Sequence, residues 1–211
     1  MKKNIIISIL LLFNVFTVFA QSTTDNSALR DTITVKLKKL ASTMKTIDCN
    51  FLQTKYIDVF DEEIESKGSF FYKENKIRMD YTTPVKYTMI INANKLTTVS
   101  SGKKSVIDLG DNQIMHNMKG MMTACMIGDL SKLTSEYNVQ YSQNTNQYIT
   151  KIIMRDDQSS KYINSIVIYL SKNTMAVDEL HIKESGKDYT KYKFYNRKFN
   201  TLKTNEKFKI N

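Results

Sequence analysis

The side chains that could do covalent or acid–base chemistry are few in this sequence and do not converge. His116 and His181 are its two histidines, and neither sits in an HExxH stretch or any other spacing that would gather a metal. No G-x-S-x-G elbow presents a serine nucleophile, and six glycines leave little material for a phosphate-cradling loop. Asp61, Glu62 and Glu63 are contiguous carboxylates, which a solvated hairpin turn explains better than an acid–base pair. This argues against an enzyme and against a catalytic, metal or cofactor site. The unusual chemistry is that of a soft apolar surface. Five of the eleven methionines, Met115, Met118, Met121, Met122 and Met126, lie in the stretch NQIMHNMKGMMTACMIGDL, residues 112–130. At helical spacing Ile114, Met118, Met121, Met122 and Cys125 form one apolar stripe, with Asp111 able to cap its start and Gly128 suited to its end. A thioether chain is unbranched and repacks at low cost. Such a helix either fills gaps in a core or covers a pocket for variable apolar ligands, and the helix by itself leaves both open.

The elements around it set the context. Lys2 and Lys3 precede an apolar run, residues 5–18, and Val18-Phe19-Ala20 supplies small residues at the −3 and −1 positions of a signal-peptidase site. Residues 1–20 are expected to be a signal peptide, because the uninterrupted apolar run is shorter than the ~20 residues of a membrane span. Residues 21–211 are then an exported single domain, long enough for a sizeable core. No cysteine follows the cleavage region to carry a lipid anchor. Cys49 and Cys125 can form one disulfide or stay as two buried thiols. The formal net charge is +10, and the basic excess is late, with Lys191, Lys193, Arg197, Lys198, Lys203, Lys207 and Lys209 facing only Glu206. In an exported chain this reads as a solvated face, with anionic headgroups or an acidic partner as its functional version, and nucleic acid is not expected.

A second helical period begins at Ser27. Leu29, Ile33, Leu37, Leu40 and Met44 share a face, while Lys36, Lys38, Lys39 and Lys45 lie off it. From Ile47 the period becomes two. Strands are expected over residues 49–56, 65–72, 76–81, 87–91, 96–100 and 105–109, then, after the Met-rich helix, over 137–142, 148–155, 163–170, 176–183 and 189–195. Turns fall at Asp61-Glu62-Glu63, Glu74-Asn75 and residues 92–95, and Pro84 stands where a sheet tolerates proline. Repeats of about eleven residues per strand and turn describe an antiparallel meander, curved or forming an open barrel with one wet and one dry side.

Phe51-Leu52-Gln53, Gly68-Ser69-Phe70, Lys73 and Arg78-Met79-Asp80-Tyr81-Thr82-Thr83-Pro84, followed by YTMIIN and a turn, come in a familiar order. With Asn200 and Phe208 in NTLKTNEKFKI, this ordered set resembles the LolA family of outer-membrane lipoprotein carriers over nearly the whole mature chain. The resemblance implies a mainly β (α+β) fold, an incomplete antiparallel β-barrel of about eleven strands enclosing a hydrophobic cavity covered by helices. It implies a monomeric periplasmic chaperone. Such a carrier takes acylated lipoproteins from an inner-membrane LolCDE-type ABC transporter and delivers them to an outer-membrane acceptor, of LolB type where one exists. The Met-rich helix falls where the family's lid lies, and the helix from Ser27 falls where its other covering helix lies.

A soluble carrier must wrap an acyl chain, since each CH₂ left in water costs about 0.8 kcal/mol. The expected cavity walls are Phe51, Phe70, Tyr72, Ile77, Met79, Tyr81 and Met89, closed by Leu37, Leu40, Met44, Met118, Met121 and Met122. The family's cavity-side arginine aligns with Lys73, the expected lid latch, although a lysine lacks the planar fork of donors. A turn position usually occupied by glycine is Ala93, where Asn92 or Asn94 is able to supply the left-handed residue. The same pattern also suits a carrier of another lipid or glycolipid, or a sensor of mislocalised lipoproteins. Replacing Met118 or Met122 with aspartate is expected to abolish uptake of an acylated ligand while the circular-dichroism signal of the sheet is kept. Unaltered uptake would remove the Met-rich helix from the mechanism.

Overall fold

Eleven strands follow one another by antiparallel pairing because almost every segment after Ile47 alternates apolar and polar side chains. The computed structural model describes residues 27–110, 120, 123–124, 130, 137–155 and 162–209. Helix α1 is Ser27–Thr43, followed by β1 Thr46–Ile57, β2 Glu62–Lys73, β3 Lys76–Thr83, β4 Tyr87–Asn92, β5 Lys95–Ser100 and β6 Lys103–Asp108. The second half is β7 Asn138–Gln143, β8 Gln147–Ile153, β9 Ile163–Ser171, β10 Val177–Glu184 and β11 Tyr189–Phe199. The sheet order is β6-β5-β4-β3-β2-β1-β11-β10-β9-β8-β7, so the first and last strands of the sheet-forming chain meet in the middle. Among the described residues β6 and β7 are unpaired edges, and the sheet stays open. This is the incomplete antiparallel barrel that the sequence leads one to expect. The expected signal peptide and most of the Met-rich helix, with Met118, Met121 and Met122, lie outside the described residues. So do His116 and Cys125.

The inner face carries the core. Phe51, Phe70, Met79, Ile152, Ile166, Ile168, Leu170 and Leu180 are all but fully buried, and α1 lays Leu29, Ile33 and Leu37 on the same cluster. Ala124 and Leu130 pack there as well. On α1, Lys36 Nζ reaches across to donate to the Tyr148 hydroxyl at 2.8 Å and lies over its ring. The end of α1 is fixed by Asn200, whose left-handed backbone (φ 59°) follows β11. Its Oδ1 accepts from the Lys45 and Thr46 amides at 2.7 and 3.3 Å, and its Nδ2 donates to the Thr43 carbonyl at 3.0 Å. One asparagine thus satisfies free groups at the helix end and clips β11 to the α1–β1 joint.

The chain after Asn200 crosses the outer face. Phe71, Ile90 and Phe208 are buried there, Lys207 lies over the Phe71 ring, and Arg78 Nη1 donates to the Lys207 carbonyl at 2.8 Å. Arg78 Nε also pairs with Asp80 at 2.8 Å.

Three local expectations differ from the structure. The acidic residues do not all sit in a turn: a 3-10 turn occupies Asp58–Phe60, Asp61 takes the left-handed conformation, and Glu62 and Glu63 begin β2 opposite Ile57 and Tyr56. Backbone pairing outweighs the poor strand propensity of the two glutamates. At the β4–β5 turn Ala93 itself is left-handed (φ 49°), because the pairing of Asn92 with Lys95 leaves a two-residue loop. β11 also runs on to Phe199, four residues beyond its expected end.

Gly68 marks the closest approach in the sheet. It faces Phe51 on β1 and Tyr81 on β3, and a Cβ there would stand 2.7 Å from the Phe51 ring and collide with the Asp80 carbonyl oxygen. Gly68→Ala is therefore expected to lower stability by about 1–3 kcal/mol, read as a fall in the urea midpoint at unchanged slope.

Candidate functional site

The strand period places every second side chain of β1–β4 on the concave face, and register brings the expected wall residues into one set. Phe51 pairs with Gly68, Phe70 with Met79, Tyr72 with Ile77, Met79 with Met89 and Tyr81 with Tyr87. Phe51, Phe70, Tyr72, Ile77, Met79 and Tyr81 are buried in one core cluster with Leu37 and Met44, while Leu40 and Met89 pack against it half-buried. Their rings interlock: Phe51 meets Tyr81 edge-on at 4.9 Å, Tyr81 stacks on Tyr87 at 4.4 Å, and Phe70 meets Phe194 edge-on at 5.8 Å.

Between the end of α1 and this face lies a small apolar pocket of about 20 Å³, room for about one water molecule. Leu40 and Met44 line it from the helix, Cys49 and Phe70 from β1 and β2, and Phe194, Arg197 and Phe199 from β11. The pocket is far smaller than a small-molecule site, so its own side chains all but fill it. Most of the expected wall is packed against itself, so a long chain would enter by displacing side chains. Burial pushes the Cys49 thiol up to about 12, with Arg197 opposing and Asp48 adding to the shift.

The opposite end of the concave face is polar. Lys55 Nζ pairs with Glu184 at 2.7 Å, and Glu184 also accepts from Thr190 at 2.9 Å. The hydroxyls of Tyr81 and Tyr192 are 3.5 Å apart, and burial is the main cause that raises the pKa of both and of Tyr87. Gln53 Oε1, also buried, has no partner among the described residues. The lining thus runs from apolar at the α1 end, Arg197 apart, to hydrogen-bonding at the other.

Two residues stand elsewhere than the sequence reading puts them. Lys73 follows Tyr72 on β2 and so projects to the outer face, where its ammonium donates to the Lys203 and Leu202 carbonyls at 2.9 and 3.4 Å. In this structure it ties β2 to the C-terminal segment. Arg197, assigned above to a solvated basic face, is half-buried at the pocket, whereas Lys191, Lys193 and Lys198 are exposed. The register of β1 against β11 slips between Asp48 and Asn50, and Asn196 is left-handed (φ 53°). This bulge turns Arg197 inward. An asparagine before an arginine is too weak a signal to have revealed it.

A family model described as outer membrane lipoprotein carrier protein LolA matches residues 42–211. The chain belongs to the LolA family. Its fold is also that of an uncharacterized conserved protein from Thermus thermophilus, which is 8% identical with a TM-score of 0.55 over 86% of this chain and 93% of that one. A LolA superfamily protein from Nitrosomonas europaea is 10% identical over 85% of this chain and 97% of that one, with a TM-score of 0.45. Lipoprotein LppX from Mycobacterium tuberculosis is 9% identical over 85% and 98%, with a TM-score of 0.48. No curated protein matches the chain. LolA-family proteins are carriers, and no helix among the described residues of this member is long and apolar enough to cross a membrane.

The pocket thiol reports on this arrangement. In a Cys125→Ser background, Cys49 is expected to resist an aromatic disulfide reagent at mildly alkaline pH until the fold opens. Its folded pKa exceeds the unfolded one, so its contribution to stability is complete below 9.0 and is lost as pH climbs toward about 12. Rapid labelling of the folded protein would show that the pocket is open to water.

Proposed function

We propose that this LolA-family chain is a periplasmic chaperone that holds the acyl chains of lipoproteins released from the inner membrane and carries them to the outer membrane. The observation that carries this reading is the apolar concave face of an open sheet, with α1 laid across it over a small pocket. An open edge would let the lining part to admit a chain. Phe51, Phe70, Tyr72, Ile77, Met79, Tyr81 and Met89 would form the walls, with Leu37, Leu40 and Met44 closing over them. Met44, Met79 and Met89 suit a wall that must repack between empty and loaded forms. Sheltering each CH₂ is worth about 0.8 kcal/mol, enough over a fatty chain to hold a lipoprotein in water. The donor would be an inner-membrane ABC transporter of LolCDE type, the recipient an outer-membrane acceptor, and the working form a monomer.

Mass spectrometry of the intact complex purified from its native periplasm is expected to show a bound acylated lipoprotein that detergent displaces. A free lipid in its place would keep the site and change the cargo. Protein that arrives empty and fails to take up an apolar fluorophore would overturn the reading.

A further inference from the structure

Among the described residues Arg197 is the one charged side chain lining the apolar pocket. Part of its guanidinium is committed: Nη2 donates to Asp178 Oδ1 at 2.8 Å and to the Phe194 carbonyl at 2.7 Å. Its Nε is buried and has no partner among the described residues. A buried donor left unpaired is costly. The β-bulge at Asn196 is what brings this arginine to the pocket, since strict alternation from Phe194 would send it outward.

The surroundings determine which acceptor suits that free N–H. Asp178 neutralises the arginine and is itself held by Gln147, whose Nε2 donates to its Oδ2 at 3.1 Å. A free carboxylate entering here would bring a second negative charge beside Asp178, into apolar surroundings that do not solvate it. A neutral carbonyl accepts the hydrogen bond and adds no charge. We propose that the pocket takes the carbonyl end of an ester- or amide-linked acyl chain, with Arg197 Nε–H donating to the carbonyl oxygen, and so discriminates against free fatty acids. This rests on the acyl-carrier reading and names the chemistry that its site selects.

The test compares decanoate, methyl decanoate and the straight-chain hydrocarbon of the ester's length, each displacing a bound apolar fluorophore at mildly alkaline pH. The wild-type protein is expected to take up the ester and the hydrocarbon and to bind decanoate at least about tenfold more weakly than the ester. Arg197→Lys keeps a cation for Asp178 but loses the Nε donor. It is expected to weaken the ester about tenfold while leaving the hydrocarbon unchanged, which also shows that the pocket has folded. Asp178→Asn removes the competing negative charge and is expected to raise decanoate affinity relative to the ester. An equal loss of ester and hydrocarbon in Arg197→Lys, no loss of either, or decanoate bound as tightly as the ester by the wild type would overturn the proposal and leave the carrier reading standing. Failure of the wild type to take up the hydrocarbon would sink both.

Discussion

A curved antiparallel sheet whose edges do not meet is the constraint on which everything else here depends. Closing a barrel would pair the edges. In this chain β6 and β7 stay apart among the described residues, so the concave face is both the hydrophobic core and the lining of the candidate site. The side chains that hold the sheet together, Phe51, Phe70 and Met79 among them, are the same ones a ligand would meet. Any occupant must therefore replace packing contacts that already stabilise the fold. A tight pocket with adaptable methionines in its walls is a better arrangement for reversible loading than a large permanent void, whose surface would lose contacts when empty.

The two faces of the sheet are handled differently. On the convex side the chain covers itself: the segment after Asn200 lays Phe208 into the outer cluster and takes hydrogen bonds from Lys73 and Arg78. Asn200 joins this strap to the end of α1 and the start of β1, so one end of the covering helix is fixed to the most central strands.

Polarity inside the concave face is graded rather than uniform. Lys55, Glu184 and the three tyrosines sit at one end, while the other is apolar apart from Arg197. Ion pairs in such surroundings gain little net stability once their desolvation is counted.

Periodicity by itself determined the helix from Ser27, the eleven strands and the inward parity of Phe51, Phe70, Tyr72, Ile77, Met79 and Tyr81, because these depend on which residues alternate along one short segment. The ordered motifs were legible for the same reason, and they sufficed to point to the family. What the segments do to one another was not legible. Lys73 is one residue from Tyr72, and its role depends on a C-terminal strap about 130 residues later in the chain, which no local pattern announces. Arg197 looked like part of a solvated run of lysines, and a single left-handed residue, Asn196, reversed its face. The Glu62–Glu63 pair joined a strand because its partner strand offered backbone hydrogen bonds there. Local side-chain chemistry thus fixed the elements and their faces. Register, bulges and long-range hydrogen bonds, which exist only once distant segments meet, decided where the charges in the site stand.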